Sequence, residues 1–197
     1  MNYPGDHQMK SIIVTLWLKW EKLFNTVFSM KAIDGENDLL HYRIRKYQGR
    51  KVKLNNGEEI KRGDRIAELH FNNALFFQAL NHSRSSVHLA VRLLREAEIL
   101  LPKLAGLLKR QPEHKRVKAV YGISMIYKGT EQFGFTVKDL PKGIFSFFTR
   151  KYLQCLLIIL HPQGKKRMKA HPEFWKPKII AMSLNELFEK YDPGRTE

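Results

Sequence analysis

The period of the apolar residues changes several times along the chain, and each change marks an element. Over 11–28, Ile13, Leu16, Trp17, Trp20, Phe24 and Val27 recur at spacings of three and four, with Thr15, Lys19, Lys22 and Thr26 opposite. That pattern predicts an amphipathic helix over about 10–29. After the turn-rich DGEND the period falls to two: Leu40, Tyr42 and Ile44, then Val52 and Leu54, alternate with polar residues. Strands are expected over about 40–47 and, beyond a turn at Gly63-Asp64, over 65–71, with Ile66 and Glu68 on one face and Ala67, Leu69 and Phe71 on the other. Between them Asn56-Gly57, suited to a two-residue type I′ turn, predicts a hairpin over 51–62.

Helical spacing returns in NALFFQALN and again over 85–110. Val87, Val91, Leu94, Ala97, Leu101, Leu104 and Leu108 form the stripe of this long helix, Ser85 or Ser86 caps it, and Pro102 is expected to kink it. Strands at 117–127 and 132–137 read as a pair joined by a turn at Lys128-Gly129. GIFSFFTRKYLQCLLIIL predicts a buried helix over 142–159, with a strand inside CLLIIL as the alternative. A strand at 178–182 follows, and Ser183 with Glu186 fits a capping box that opens a closing helix over 183–191. Strands and helices cluster instead of alternating, which favours an α+β fold with a mainly antiparallel sheet. The expected organisation is an amphipathic N-terminal helix at 1–30 and a single α+β domain at 31–197.

Composition narrows the class. A chain of 197 residues that is 43% hydrophobic is long enough for one full core. Thirty-five Lys and Arg against 19 Asp and Glu give a net charge of +16, which predicts attraction to anionic lipid, acidic polymer or nucleic acid. The single cysteine, Cys155, excludes an internal disulfide framework and a Cys-cluster zinc site. It lies in the apolar run YLQCLLIIL, where a buried small hydrophobe is expected, and one cysteine fits a reducing cytosol. The N-terminus lacks the pattern of a signal peptide, and no run of about 18 uncharged apolar residues offers a transmembrane span. The expectation is a cytoplasmic protein, peripheral on the inner face of the plasma membrane.

Well-marked chemistries are absent from the sequence. HSRSSVH sets His82 and His88 six apart, rotated by roughly 240° on a helix, so they do not share a metal as histidines four apart can. There is no H-E-x-x-H, no G-x-S-x-G and neither common phosphate-cradling glycine loop, so no metal and no cofactor is expected. What remains is GDRIAELHFNN, where alternation places Glu68, His70 and Asn72 on one strand face about 7 Å apart. A Glu–His pair at that spacing acts as base and acid if substrate or water lies between them. The structural alternative makes Glu68 the partner of a core histidine, and Asn72 or Asn73 the cap of the next helix.

Two further groups carry binding chemistry. Lys165, Lys166, Arg167 and Lys169, with Lys176 and Lys178 beyond, form a basic cluster that suits phosphates, beside Phe174 and Trp175. Trp17, Trp20 and Phe24 on the N-terminal helix, with lysines opposite, suit a bilayer interface, although a core-docking helix has the same pattern. Neither a helix-turn-helix nor an aromatic RNA-binding motif accompanies the charge.

LNNGEEIKRGDRIAELHFNN, AVYGISMIYKGTEQFGFTV and AMSLNELFEKY together resemble the bacterial YkoP-like domain, found alone or attached to polysaccharide deacetylase domains in bacilli and related Gram-positive organisms. Gly57, Gly63, Asp64, Glu68, Leu69, His70 and Asn72 occupy its pattern, and the likeness spans roughly 39–191. The resemblance implies cell-envelope work by association, with a polysaccharide deacetylase as a partner. Deacetylase activity itself is not implied, because the metal motif is missing. The leading expectation is a non-catalytic, membrane-peripheral module that binds an anionic lipid or polysaccharide intermediate of the envelope. An enzyme on an anionic carbohydrate or lipid, using Glu68 and His70 with Asn72 positioning substrate, comes second, and nucleic-acid binding third.

Overall fold

The computed structural model describes residues 30–35, 39–72, 75, 78–79, 86–110, 116–160 and 176–191. The N-terminal helix with Trp17, Trp20 and Phe24, and the cluster Lys165, Lys166, Arg167 and Lys169, lie outside the described residues, as does the side chain of Cys155.

Eight strands and three helices are described: β1 (Lys31–Ala32), β2 (Leu40–Lys46), β3 (Val52–Lys53), β4 (Glu59–Ile60), β5 (Arg65–Phe71), α1 (Ser86–Arg110), β6 (Val117–Ser124), β7 (Thr136–Asp139), α2 (Ile144–Leu160), β8 (Lys178–Ser183) and α3 (Leu184–Tyr191). Six strands form one sheet in the order β1-β2-β5-β6-β8-β7, and β3 pairs with β4 apart from it. The sheet is mainly antiparallel: β5 and β6 alone run parallel, because the connection between them passes through α1. The fold is α+β, as the clustering of periods predicts.

Strand alternation divides the core into two layers. Tyr42, Ala67, Val120 and Met182 face α1 and α3, where Leu100, Leu101, Leu104, Ala105, Leu108 and Leu187 complete a buried cluster. Ile66, Ala119, Tyr121, Ile179 and Ala181 face the other way, towards Tyr47 and the hairpin residues Val52, Leu54 and Ile60. Among the described side chains of the stripe read from the sequence, Leu94, Ala97, Leu101, Leu104 and Leu108 pack on the core while Val91 is 41% exposed, and the helix assignment runs through Pro102 without a break.

The hairpin differs in detail from the expectation. Val52 pairs with Ile60 and Lys53 with Glu59, and Leu54 N donates to the Glu58 carbonyl at 2.8 Å, which leaves the three residues 55–57 in the loop with Gly57 at φ +88°, so the two-residue turn is not used. The loop is tied to the sheet end: Asn55 N donates to Thr136 Oγ1 at 2.8 Å and Asn56 Nδ2 to Ser183 Oγ at 2.8 Å. Ser183 Oγ also accepts from Glu186 N at 3.1 Å, which gives half of the expected capping box at the start of α3.

Two expectations are corrected. The strands read as a pair across Lys128-Gly129 do not pair, since β8 lies between β6 and β7. Gly129 at φ +86° and Gly134 at φ +93° bracket a 3-10 turn, Thr130–Phe133, that carries the chain over β8 and delays β7 to Thr136. The helix read as buried, α2, is exposed along much of one side, with Phe147 and Phe148 57% and 64% accessible.

Candidate functional site

In β2, the sequence HYRIRK puts Tyr42 and Ile44 against the α1 side and leaves His41, Arg43 and Arg45 on the opposite face. Antiparallel register then sets Arg43 opposite Glu68, His41 opposite His70 and Arg45 opposite Ile66. On the other flank of β5, Glu68 aligns with Tyr121 of β6. The hairpin covers this face over Ile66 and Ala119, both fully buried, and its apolar cluster gives way along β5 to Glu68 and the half-buried His70. The polar groups therefore gather where the apolar cover stops.

Glu68 is the centre of the group. Arg45 Nε donates to Oε2 at 2.7 Å and Nη2 to Oε1 at 2.5 Å, a fork-to-fork pair. Arg43 Nε donates to the same Oε2 at 2.7 Å, with Nη2 2.6 Å away. His70 Nε2 lies 3.1 Å from Oε2. Tyr47 and Tyr121 flank the cluster with ring centroids 5.2 Å apart, and Tyr47 Oη donates to the Arg50 carbonyl at 2.8 Å.

Burial alone would push the Glu68 carboxyl up, but the ring of His70 and the guanidinium of Arg45 reverse this and hold it well below the usual carboxylate range. The hydrogen bond to Glu68 in turn raises Arg45. Burial pushes the phenols of Tyr121 and Tyr47 up, so both stay neutral. Two guanidiniums share the carboxylate of Glu68. Arg43, Arg45 and His70 keep 18%, 29% and 32% of their side chains accessible, while Glu68 keeps 9%, so the guanidiniums and the ring form the outer side of the cluster.

The family model of the YkoP domain matches residues 10–191. The chain belongs to the YkoP domain family. A relative from Bacillus subtilis (strain 168), described as uncharacterized protein YkoP, is 24% identical over 130 residues, covering 66% of this chain and 71% of its own. No solved structure matches.

In this YkoP domain, Glu68 and His70 share a strand face as the alternation predicts, but the 7 Å gap does not survive. His70 Nε2 instead comes within 3.1 Å of Glu68 Oε2. Nothing fits between groups at that distance, and a carboxylate chelated by two guanidiniums is a poor proton acceptor at neutral pH. Asn72 is drawn into the local structure: its N–H donates to the Leu39 carbonyl at 2.8 Å and its Oδ1 accepts from Leu75 N at 3.3 Å, a cap for the helical residues that follow. Lys178 pairs with Asp139 and sits 5.8 Å from the Tyr127 ring centre, whereas Lys176 is exposed. Neither lysine contacts the Glu68 cluster.

Sequence reasoning missed Arg43 and Arg45. Their signal was present in HYRIRK, where the period that marks a strand also puts His41, Arg43 and Arg45 on one side. What the sequence lacked was the register that sets them against Glu68. Among the described residues, no group of three or more His, Cys, Asp or Glu converges to hold a metal ion, and no helix is long and apolar enough to cross a membrane.

Proposed function

We propose that this domain is a non-catalytic binding module for an anionic lipid or polysaccharide intermediate of the cell envelope, seated on Arg43, Arg45 and His70. The observation that supports it is a partly open cluster in which one buried carboxylate holds two guanidiniums in place. Two arginines fixed by a buried carboxylate are preorganised, so an incoming phosphate or carboxylate meets donors that lose little freedom on binding. The net charge of +16 adds long-range attraction for the same class of ligand. A deacetylase partner, the envelope location and the roles of Trp17, Trp20, Phe24 and Lys165–Lys169 belong to the same proposal and draw on the family resemblance and the composition.

Calorimetric titration with glycerol phosphate, as a soluble lipid headgroup, and with a polyuronate oligosaccharide distinguishes the two ligand sources. Saturable binding of one of them, weakened at least about tenfold by Arg43→Gln, is expected for loss of one charge-assisted contact. Binding that Arg43→Gln leaves unchanged contradicts the seat proposed.

The enzyme reading keeps one observation in its favour, the contact that orients the His70 ring against Glu68 while a third of the ring side chain stays accessible. On that reading His70 is the acting group and Glu68 its orienter. Turnover of a phosphorylated or uronic-acid substrate that His70→Gln abolishes, with binding intact, would favour it over the module.

A further inference from the structure

The two sides of α2 meet different surroundings. Leu153 docks one side of the helix on the small cluster of Leu39, Ala79 and Leu93, and on the same side Ser146 Oγ donates to the Pro141 carbonyl just before the helix. On the other side Ile144, Phe147, Phe148 and Tyr152 are 78%, 57%, 64% and 54% exposed. At about 100° per residue these four and Lys151 fall within an arc of about 140°. Phe147 and Phe148 meet edge to face at 5.7 Å, and Lys151 Nζ lies 5.7 Å from the centre of the Phe147 ring. Four large apolar side chains more than half exposed on one helix face mark a surface with a partner.

Charge selects the partner. From 140 to 172 the sequence contains no Asp or Glu, while Lys142, Arg150 and Lys151 border or interrupt the aromatic arc and Lys165, Lys166, Arg167 and Lys169 follow in the chain. A second copy would bring the same cations against one another on a molecule of charge +16. An apolar protein groove would have to desolvate Lys151 in the middle of the arc. A bilayer requires neither, because phenylalanines enter the acyl boundary while a lysine among them extends to the phosphates. We infer that the exposed face of α2 is the surface by which the domain lies on an anionic lipid bilayer. The inference deepens the binding reading above and rests on it for the anionic character of the target, but it assigns the membrane contact to a different element from the Arg43–Arg45 cluster.

Sedimentation of the full chain with phosphatidylcholine vesicles, with and without phosphatidylglycerol, tests it. The protein should pellet with the anionic vesicles only. Phe147→Ser with Phe148→Ser should lower that partition at least about tenfold, since two aromatic side chains no longer enter the interface. Lys151→Glu, which leaves the aromatic area in place, should also weaken it, and this variant carries the test if circular dichroism shows the double variant misfolded. Wild-type indifference to anionic vesicles overturns the inference, and so does equal pelleting of wild type and folded variants. A dimer seen by sedimentation velocity and abolished by the double variant overturns it as well, in favour of a second copy as the occupant. Glycerol phosphate binding at Arg43, measured without vesicles, is unaffected by any of these results, so failure of the surface and failure of the ligand site are separable.

Discussion

One face of the six-stranded sheet meets α1 and α3 through side chains such as Leu101, Leu104 and Leu187, all nearly or fully excluded from water. The other face meets the β3–β4 hairpin over part of its length and carries Arg43, Arg45, Glu68 and His70 beyond it. The first face is held by non-directional apolar contact, which tolerates changes of partner as long as volume is kept. The second depends on complementary charges, so loss of one member leaves the others uncompensated. A domain whose only demand was stability would have little use for the second arrangement, since apolar replacements of a buried ion cluster are often as stable or more so.

The sharpest contrast comes from one substitution on each face. Leu104→Ala opens a cavity in the fully buried layer and should cost about 4 kcal/mol in chemical denaturation, by the same amount at pH 4 and pH 7. Glu68→Gln should cost about 3 kcal/mol at pH 7, because both guanidiniums lose their anion. This second loss depends on pH. Glu68 is depressed in the folded protein, so its contribution is complete above the ordinary carboxylate value of about 4.3 and fades as pH falls towards the folded value. Denaturation curves of wild type and Glu68→Gln should therefore converge in acid, and a gap that stays constant down to pH 2 would mean that the cluster is not held by the ionised carboxylate.

A smaller effect probes the junction of the faces. Ser183→Ala removes the cap of α3 and the acceptor for Asn56 together, which should cost about 1.5 kcal/mol and loosen the hairpin over the charged face. Amide exchange should then accelerate at Leu54 and Gly57, whose N–H groups bond within the hairpin, more than at residues of α1.

These contrasts also explain what the sequence made legible. The strand β5 and the helices α1 and α3 were readable because each carries its own period, and β5 and α3 their own turn or cap: Gly63-Asp64 before the strand, Ser183 before α3. The order of strands was not, since nothing local tells β6 and β7 that β8 will lie between them. The same limit hid the site. Glu68 and His70 lie close in sequence and share a face by alternation, whereas Arg43 and Arg45 lie 25 and 23 residues from Glu68 and reach it only through the register of β2 on β5. The exposure of α2 was concealed for a different reason: an aromatic-rich helix reads as core, and only its tertiary neighbours show that Leu153 is docked while Phe147 and Phe148 are not.

The central claim is that the charged half of the second face is a seat for an anion. Nitrogen-detected NMR of the arginine Nε and histidine ring groups during a glycerol phosphate titration tests it at the atoms concerned. The account predicts saturable shifts at Arg43, Arg45 and His70 that disappear in Arg43→Gln. Shifts that grow linearly without saturation, or that saturate elsewhere while these three stay still, would contradict it.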